Sequence, residues 1–188
     1  IAYYLRVHAS INAIGLIGAE AREYYSLFQK EDVIIALSQS GETADVMEVL
    51  EVAQKKGATI ATHVNMEGSM MSRMADYPFM AEAGPEICVM STKAFTAQIA
   101  WGYMLAKTVA GTYDEGSSNI AQAATAMKTL LRDTGQTENI NRLAKKLSKK
   151  QHVFLLGKSQ NLQIVREGMV KMVEGSYTHA HALPAGDL

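Results

Sequence analysis

Four hydrogen-bonding side chains fall within six positions of the chain, at Ser38, Gln39, Ser40 and Thr43. They follow an almost continuous apolar run at residues 32–37, which is typical of a strand buried on both faces. A helical pattern begins shortly after them, so the group lies where a strand gives way to a helix. A helix N-terminus offers free N–H groups and a positive dipole end to an anion, and hydroxyls add hydrogen bonds. We therefore predict that this loop binds a phosphate group at the carboxyl end of a parallel strand.

Two other interpretations of this loop have to be weighed. The loop contains no lysine, so it is not the Gly-Lys-Ser/Thr nucleotide-binding loop. Ser40 or Thr43 could instead serve only to cap the following helix. Capping would need one such residue, whereas four polar side chains in six positions favour phosphate binding.

Two further groups of residues have types and spacings that suit chemistry. Ser91-Thr92-Lys93 opens a long apolar helix, and its alternative interpretation is again a helix cap. Glu167, Lys171 and Glu174 lie at i, i+4 and i+7, so two carboxylates and an ammonium share one face of a helix. Without other context, such a Glu–Lys set would be read as a surface ion pair.

His179 and His181 lie two residues apart and raise the question of a metal. No cysteine or further histidine pattern supports a metal site, so we expect a hydrogen-bonded histidine pair and no metal. No motif calls for a cofactor either.

Composition excludes several classes of function. The 188 residues are 48% hydrophobic and 20% charged, with a net charge of -1 and a pI near 6.6. No basic excess draws the chain to nucleic acid or anionic lipid. Cys88 is the only cysteine, which indicates a reducing, cytoplasmic location. The most apolar segment, residues 94–110, is interrupted by Thr96, Gln98 and Lys107 and is predicted to be a buried helix rather than a membrane span.

The apolar pattern alternates between strands and helices along the chain. We predict strands at residues 11–17, 32–37, 58–64, 78–81 and 153–156. We predict helices at residues 19–28, 46–56, 69–75, 92–110 and 162–177, with two more after a polar linker at 111–118. The second of those two carries a basic cluster at 142–150, which we interpret as a solvated face. This alternation predicts an α/β fold with a parallel sheet flanked by helices in three layers.

Three motifs together resemble the isomerase half of glutamine–fructose-6-phosphate aminotransferase. They are Ser38-Gln39-Ser40-Gly41-Glu42-Thr43-Ala44-Asp45, then Ala83-Gly84-Pro85-Glu86-Ile87 with Ser91-Thr92-Lys93-Ala94-Phe95-Thr96, and Glu167-Gly168 through Lys171, Glu174 and His179. The resemblance runs in order over nearly the whole chain. It implies two sugar isomerase (SIS) domains, with residues 1–111 as a first domain truncated at its N-terminus. Residues 112–150 would be a linker and connecting helices, and residues 151–188 the truncated start of a second SIS unit.

The resemblance also implies roles for single residues. Ser38, Gln39, Ser40 and Thr43 match the family's phosphate-binding loop, and Val89 and Ser91 match residues that line the sugar. Glu174 matches the carboxylate that moves a proton between C1 and C2, with Lys171 and Glu167 as charged neighbours. Met90 stands where the family usually has Ala and His181 where it usually has Glu, and Met90 would narrow the site if it points inward.

The implied activity is the conversion of fructose 6-phosphate and glutamine-derived ammonia to glucosamine 6-phosphate. Its partners would be a hexose phosphate, a glutaminase domain in the full protein and a second copy in a homodimer. Because several family segments are absent, residues 1–188 alone are expected to be inactive. A stand-alone phosphosugar isomerase or deaminase, and a non-catalytic SIS sensor of sugar phosphates, are the alternatives.

Overall fold

The computed structural model describes residues 1–187, which divide into two compact units. The first unit comprises residues 1–87 and 91–113, and the second comprises residues 88–90 and the chain from Asp114 onward. Each unit is built around its own parallel sheet.

The first unit alternates strands and helices. Its helices are α1 (Ala2–Ala9), a 3₁₀ segment (Gly18–Leu27), α2 (Ala44–Lys56), α3 (Met70–Met74) and α4 (Lys93–Val109). Its strands are β1 (Val33–Ser38), β2 (Thr59–Val64) and β3 (Tyr77–Met80), parallel in the order β1-β2-β3. Ser38 pairs with Val64, so β1 and β2 end at the same edge.

Helices cover both faces of this sheet. On one face α2 and the 3₁₀ segment form the core with the strands, where Leu50, Ala53, Ile60 and Val64 are fully or almost fully buried. On the other face Trp101 of α4 stacks on His63 of β2. A parallel sheet flanked by helices is therefore confirmed. α2 ends as its sequence predicts, because Gly57 adopts the left-handed conformation (φ 79°) and its N–H returns to the carbonyls of Ala53 and Gln54.

The second unit begins with two helices, α5 (Tyr113–Arg132) and α6 (Thr134–Leu147). Strand β4 (His152–Gly157), helix α7 (Asn161–Ser176) and strand β5 (His179–Pro184) then form a parallel β-α-β unit. α7 packs on one face of the sheet: Val153 and Ala180 are buried, and Leu155 lies beside Gly168 of the helix.

Two predicted segments are wrong. Residues 11–17 form no strand and pair with none of the described strands, and Ile14 and Ile17 are about 70% and 71% exposed. The loop conformation of residues 111–118 is also wrong beyond a turn at Gly111 and Thr112, because helix α5 begins at Tyr113, while the boundary between the two units falls within this segment. Asp114 and Glu115 in its first turn favour the helix dipole, and Gly116 is buried. Strand β5 was not predicted.

No helix within residues 1–187 combines the length and the apolar character needed to cross a bilayer.

Candidate functional site

The predicted phosphate loop links the end of β1 to the start of α2, as the sequence indicates. Ser38 is the last residue of β1 and is buried, and its Oγ accepts a hydrogen bond from the Gly41 N–H at 2.9 Å. The same Oγ lies 3.1 Å from the Thr43 Oγ1, with which it shares a hydrogen bond. Ser40 Oγ accepts from the Glu42 N–H at 3.2 Å. The hydroxyls thus form hydrogen bonds within the loop and stabilise its turn.

Neighbouring segments of the same unit hold the loop from outside. The Gln39 carbonyl accepts from the Asn65 N–H at 3.1 Å, and the Gly41 carbonyl accepts from the Met71 N–H at 3.0 Å. The Glu42 carboxylate accepts from the Met70 N–H at 2.7 Å. The loop is therefore tied to the end of β2 and to the first turn of α3.

The N-terminus of α2 has no side-chain cap. Thr43 is the N-cap residue, but its hydroxyl hydrogen-bonds Ser38 and makes no cap hydrogen bond. The capping alternative for Thr43 is therefore wrong. The N–H groups in the first turn of a helix have no partner within the helix, and here no side chain supplies one at the cap. They suit an anion, although Asp45 in the same turn places a negative charge nearby.

The second motif is organised by a carboxylate that we did not single out from the sequence. Glu86 Oε1 accepts from the N–H groups of Thr92 at 2.8 Å and Ala94 at 2.9 Å, which hold the start of α4. These hydrogen bonds to the charged form hold the pKa of Glu86 below its usual range. Thr92, the N-cap of α4, makes no side-chain cap hydrogen bond. Ser91 is half-buried beside it in the first unit.

Asn65 connects the two motifs of the first unit. Its backbone N–H holds the phosphate loop at Gln39, while its side chain accepts from the Ala83 N–H at 2.9 Å and donates to the Gly84 carbonyl at 2.8 Å. We missed it because a lone Asn after a strand has no distinctive sequence signal. A hydrogen-bonding residue at the carboxyl end of β2 is the signal that would have found it.

The predicted catalytic residues lie together on α7 of the second unit. Lys171 forms an ion pair with Glu167, and both side chains are partly buried. Glu174 is exposed one turn further along the helix. Val89 belongs to the same unit and is 88% exposed. The three charged residues share a helix face, and Lys171 is paired with Glu167 on that face.

Residues 1–108 match the SIS domain family, which is more than half of the chain. The chain belongs to the SIS domain family. Glutamine–fructose-6-phosphate aminotransferase (isomerizing) of Aquifex aeolicus (strain VF5) is 34% identical over 187 residues, covering 99% of this chain and 31% of the relative. The enzyme of the same name from Thermotoga maritima is 33% identical over 190 residues, with the same coverage. This SIS chain thus spans about a third of the length of these curated relatives.

Solved structures share the fold of this SIS chain. The C-terminal domain of glucosamine-fructose-6-phosphate aminotransferase from Francisella tularensis matches with a TM-score of 0.85 and 28% identity, over 99% of this chain and 54% of that one. A putative phosphosugar isomerase from Clostridium difficile 630 also has a TM-score of 0.85, at 16% identity, over 98% of this chain and 55% of that one. The second likeness concerns the fold alone.

Ser69 is a further residue of this SIS domain that sequence reasoning missed. It is buried, and its Oγ has no hydrogen-bond partner. It lies against Gly41 in the middle of the phosphate loop, since a Cβ built on Gly41 would fall 2.5 Å from the Ser69 Cβ and closer to its Oγ. A buried hydroxyl without a partner beside the predicted phosphate loop is a candidate for contact with a ligand.

Met90, the residue that departs from the resemblance, lies against α7 in the second unit. A Cβ built on Gly175 would fall 2.5 Å from the Met90 Sδ and 2.7 Å from its Cε. Gly175 follows Glu174 directly, so Met90 packs against the last turn of α7, the turn that also carries the predicted catalytic carboxylate. The prediction that Met90 narrows the sugar site stays a prediction.

The expected histidine pair has a different partner. His179 Nδ1 lies 2.9 Å from His152 Nδ1, while its ring contacts that of His181 at 4.4 Å between centroids. His152 lies on β4, which pairs with β5. Because β5 was not predicted from the sequence, this contact was not expected.

Proposed function

We propose that this chain is the phosphosugar-binding isomerase region of an enzyme that converts fructose 6-phosphate and glutamine-derived ammonia to glucosamine 6-phosphate. The observation that carries the proposal is the internally hydrogen-bonded loop at residues 38–43, which brings four polar side chains to an uncapped helix N-terminus. Relatives about a third identical over almost the whole chain bear the name of that enzyme.

The proposed phosphate site uses uncharged donors. Ser38, Ser40 and Thr43 would turn their hydroxyls toward the phosphate oxygens, and the Gln39 amide and the first N–H groups of α2 would add further hydrogen bonds. Hydrogen bonds to a charged group contribute more than neutral ones, so several uncharged donors suffice for a dianion. Ser69 would add a donor from beneath the loop.

The proposed chemistry rests on α7. Glu174 would take a proton from one of the carbons C1 and C2 and return it to the other, because a carboxylate serves as both base and acid. Lys171 and Glu167 would be its charged neighbours, and Val89 and Ser91 would line the sugar. A glutaminase domain elsewhere in the protein would supply ammonia, and a cytoplasmic homodimer is the proposed assembly. No cofactor is part of the proposal.

Calorimetric titration of the complete protein with fructose 6-phosphate tests the proposal. Replacing Ser38, Ser40 and Thr43 together by Ala removes several hydrogen bonds to a charged group, each contributing about 1.5–3 kcal/mol. Affinity for fructose 6-phosphate should fall at least about a hundredfold. Ser40→Ala alone should disturb the structure of the loop less than the triple variant does, because within the loop the Ser40 hydroxyl accepts only from the Glu42 N–H.

The basic cluster of α6 provides a control for non-specific binding of the phosphate group. A groove of about 520 Å³ along α6 is lined by Glu138, Asn141, Arg142, Lys145, Lys146 and Lys149. Changing Lys145, Lys146 and Lys149 together to Gln should leave affinity for fructose 6-phosphate within about twofold, since exposed lysines contribute little. Unchanged affinity in the loop variant, with a loss in the lysine variant, would refute the proposed site.

A further inference from the structure

Three histidines gather on one face of the sheet of the second unit. In the parallel pairing of β4 and β5, His152 is opposite His179, and Phe154 is opposite His181. Side chains along a strand alternate between faces, and residues directly opposite on neighbouring strands share a face. His152, His179 and His181 therefore project from the same side.

Their ring nitrogens lie close together. One nitrogen from each of the three rings lies within 4.8 Å of the other two. His152 Nδ1 and His179 Nδ1 lie 2.9 Å apart. The His181 ring stacks on Phe154, with centroids 5.5 Å apart and planes 22° apart.

α7 does not cover the histidine face. α7 packs on the opposite face, where Val153 and Ala180 are buried and Leu155 meets Gly168. His152 and His179 are exposed, and His181 is half-buried. Binding of an ion to the three rings therefore requires no displacement of α7.

We propose that His152, His179 and His181 bind one divalent transition metal ion, with zinc as the ion that best fits their chemistry. Neutral imidazole suits zinc, copper and nickel rather than magnesium or calcium. A tetrahedral zinc with Zn–N distances of about 2.0–2.1 Å holds its nitrogens about 3.3 Å apart. The His152–His179 separation of 2.9 Å and the 4.8 Å limit for all three nitrogens are both within about 1.5 Å of that value, so small rotations of the rings bring all three nitrogens onto one ion. The ion replaces the single hydrogen bond between His152 and His179, and water or another ligand takes its fourth position.

Zinc titration of the full chain, with any affinity tag removed, tests this site. Calorimetry should give one ion bound per chain, and X-ray absorption should show three imidazole nitrogens at about 2.0 Å. His152→Ala, His179→Ala and His181→Ala should each lower the affinity at least about tenfold. His8→Ala, which removes a histidine of the first unit, should leave the affinity within about twofold.

Three outcomes would overturn the proposal. The first is that the wild-type chain binds no zinc at micromolar concentration. The second is that the three variants bind it as the wild type does. The third is a zinc-bound sulfur at about 2.3 Å, which would assign the ion to the exposed thiol of Cys88. If a variant fails to fold by circular dichroism, the absorption spectrum of the wild-type chain still decides, because it reports the ligands directly. The proposal does not rest on the proposed function, so a failure of phosphosugar binding would leave the zinc result unchanged.

Discussion

Gly41 lies against the side chain of Ser69, so closely that a Cβ on Gly41 would meet the Ser69 Cβ at 2.5 Å. Gly41 also has a φ of 68°, in the left-handed region that favours glycine. Its carbonyl accepts from the Met71 N–H, which brings the first turn of α3 up to the loop. The shape of the phosphate loop therefore depends on glycine for two separate reasons, one conformational and one steric.

Gly41→Ala should destabilise the protein more than the backbone conformation alone requires. Gly68 provides the matched control, because its φ is 69° and a Cβ there meets nothing within 4 Å. Gly68→Ala should lower the free energy of unfolding by about 1–2 kcal/mol, the cost of the left-handed conformation. Gly41→Ala should lower it by at least about 1 kcal/mol more, because core overpacking adds strain. Urea denaturation of both variants measures the difference.

The double variant Gly41→Ala/Ser69→Gly separates the two causes. Removing the Ser69 side chain should bring the cost of Gly41→Ala back toward that of Gly68→Ala. Equal losses for Gly41→Ala and Gly68→Ala in the wild-type background would show that Ser69 does not restrict the loop.

The same pair shows which parts of the site the sequence could reveal. The place of the polar residues at 38–43 between a strand and a helix could be predicted, because the apolar run before them and the helical pattern after them are local signals. Ser69, Asn65 and Glu86 were missed because their importance comes from contacts with residues far along the chain. Nothing in the sequence near Ser69 indicates that it lies beneath Gly41.

The strands, too, could be predicted where the signal is local and were missed where it depends on distant parts of the chain. β1 was predicted because an almost continuous apolar run is typical of a strand in a parallel sheet. Residues 11–17 are apolar too, but a strand also needs a partner, and an apolar run does not reveal one. β5 was missed because histidines occupy the exposed side of a short strand, so only alanine, leucine and proline remain as apolar signals. The two strands β4 and β5 are separated along the chain by the whole of α7, so local sequence does not reveal that they pair.

Replacing Gly175 by Ala should reveal its contact with Met90. Alanine is more favourable than glycine in a helix interior by about 0.8–1 kcal/mol. Gly168→Ala on the same helix should show most of that gain, because its Cβ would lie 3.7 Å from the Leu155 Cδ1, an ordinary contact. In Gly175→Ala the Met90 thioether must move, so the gain should be reduced or reversed.

Met90→Ala removes that obstacle. In the Met90→Ala background, Gly175→Ala should recover a gain like that of Gly168→Ala, with a coupling of at least about 0.5 kcal/mol in the double-mutant cycle. Thermal or urea unfolding of the four variants measures it. Strict additivity would mean that Met90 turns away from α7 at no cost.

Glu174→Gln tests the proposed proton transfer in the complete enzyme. The substitution keeps the size of the side chain and removes its basicity, so kcat should fall about 10²–10⁴-fold while affinity for fructose 6-phosphate stays nearly unchanged. Glu138→Gln on α6 is the matched control and should leave kcat within about twofold. A surface role for Glu174 predicts no kinetic effect and at most about 1 kcal/mol of stability. A kcat for Glu174→Gln within a few fold of the wild type would therefore exclude it as the base.

His63 should make the stability of the first unit depend on pH. It is 2% exposed, its ring stacks on Trp101 at 4.7 Å, and its Nδ1 has no hydrogen-bond partner. Burial lowers the pKa of His63 below the ordinary imidazole value of 6.5. Below pH 6.5 the unfolded chain therefore binds a proton that the folded chain resists, so the free energy of unfolding should decrease as the pH falls.

His63→Phe keeps an aromatic ring against Trp101 and cannot be protonated, so its stability should decrease less between about pH 7.5 and about pH 5. His8→Phe on α1 controls for the loss of any one histidine and should retain more of the wild-type decrease. Urea denaturation at the two pH values measures all three proteins, and an equal decrease in His63→Phe and the wild type would show that His63 takes up its proton without unfolding the sheet.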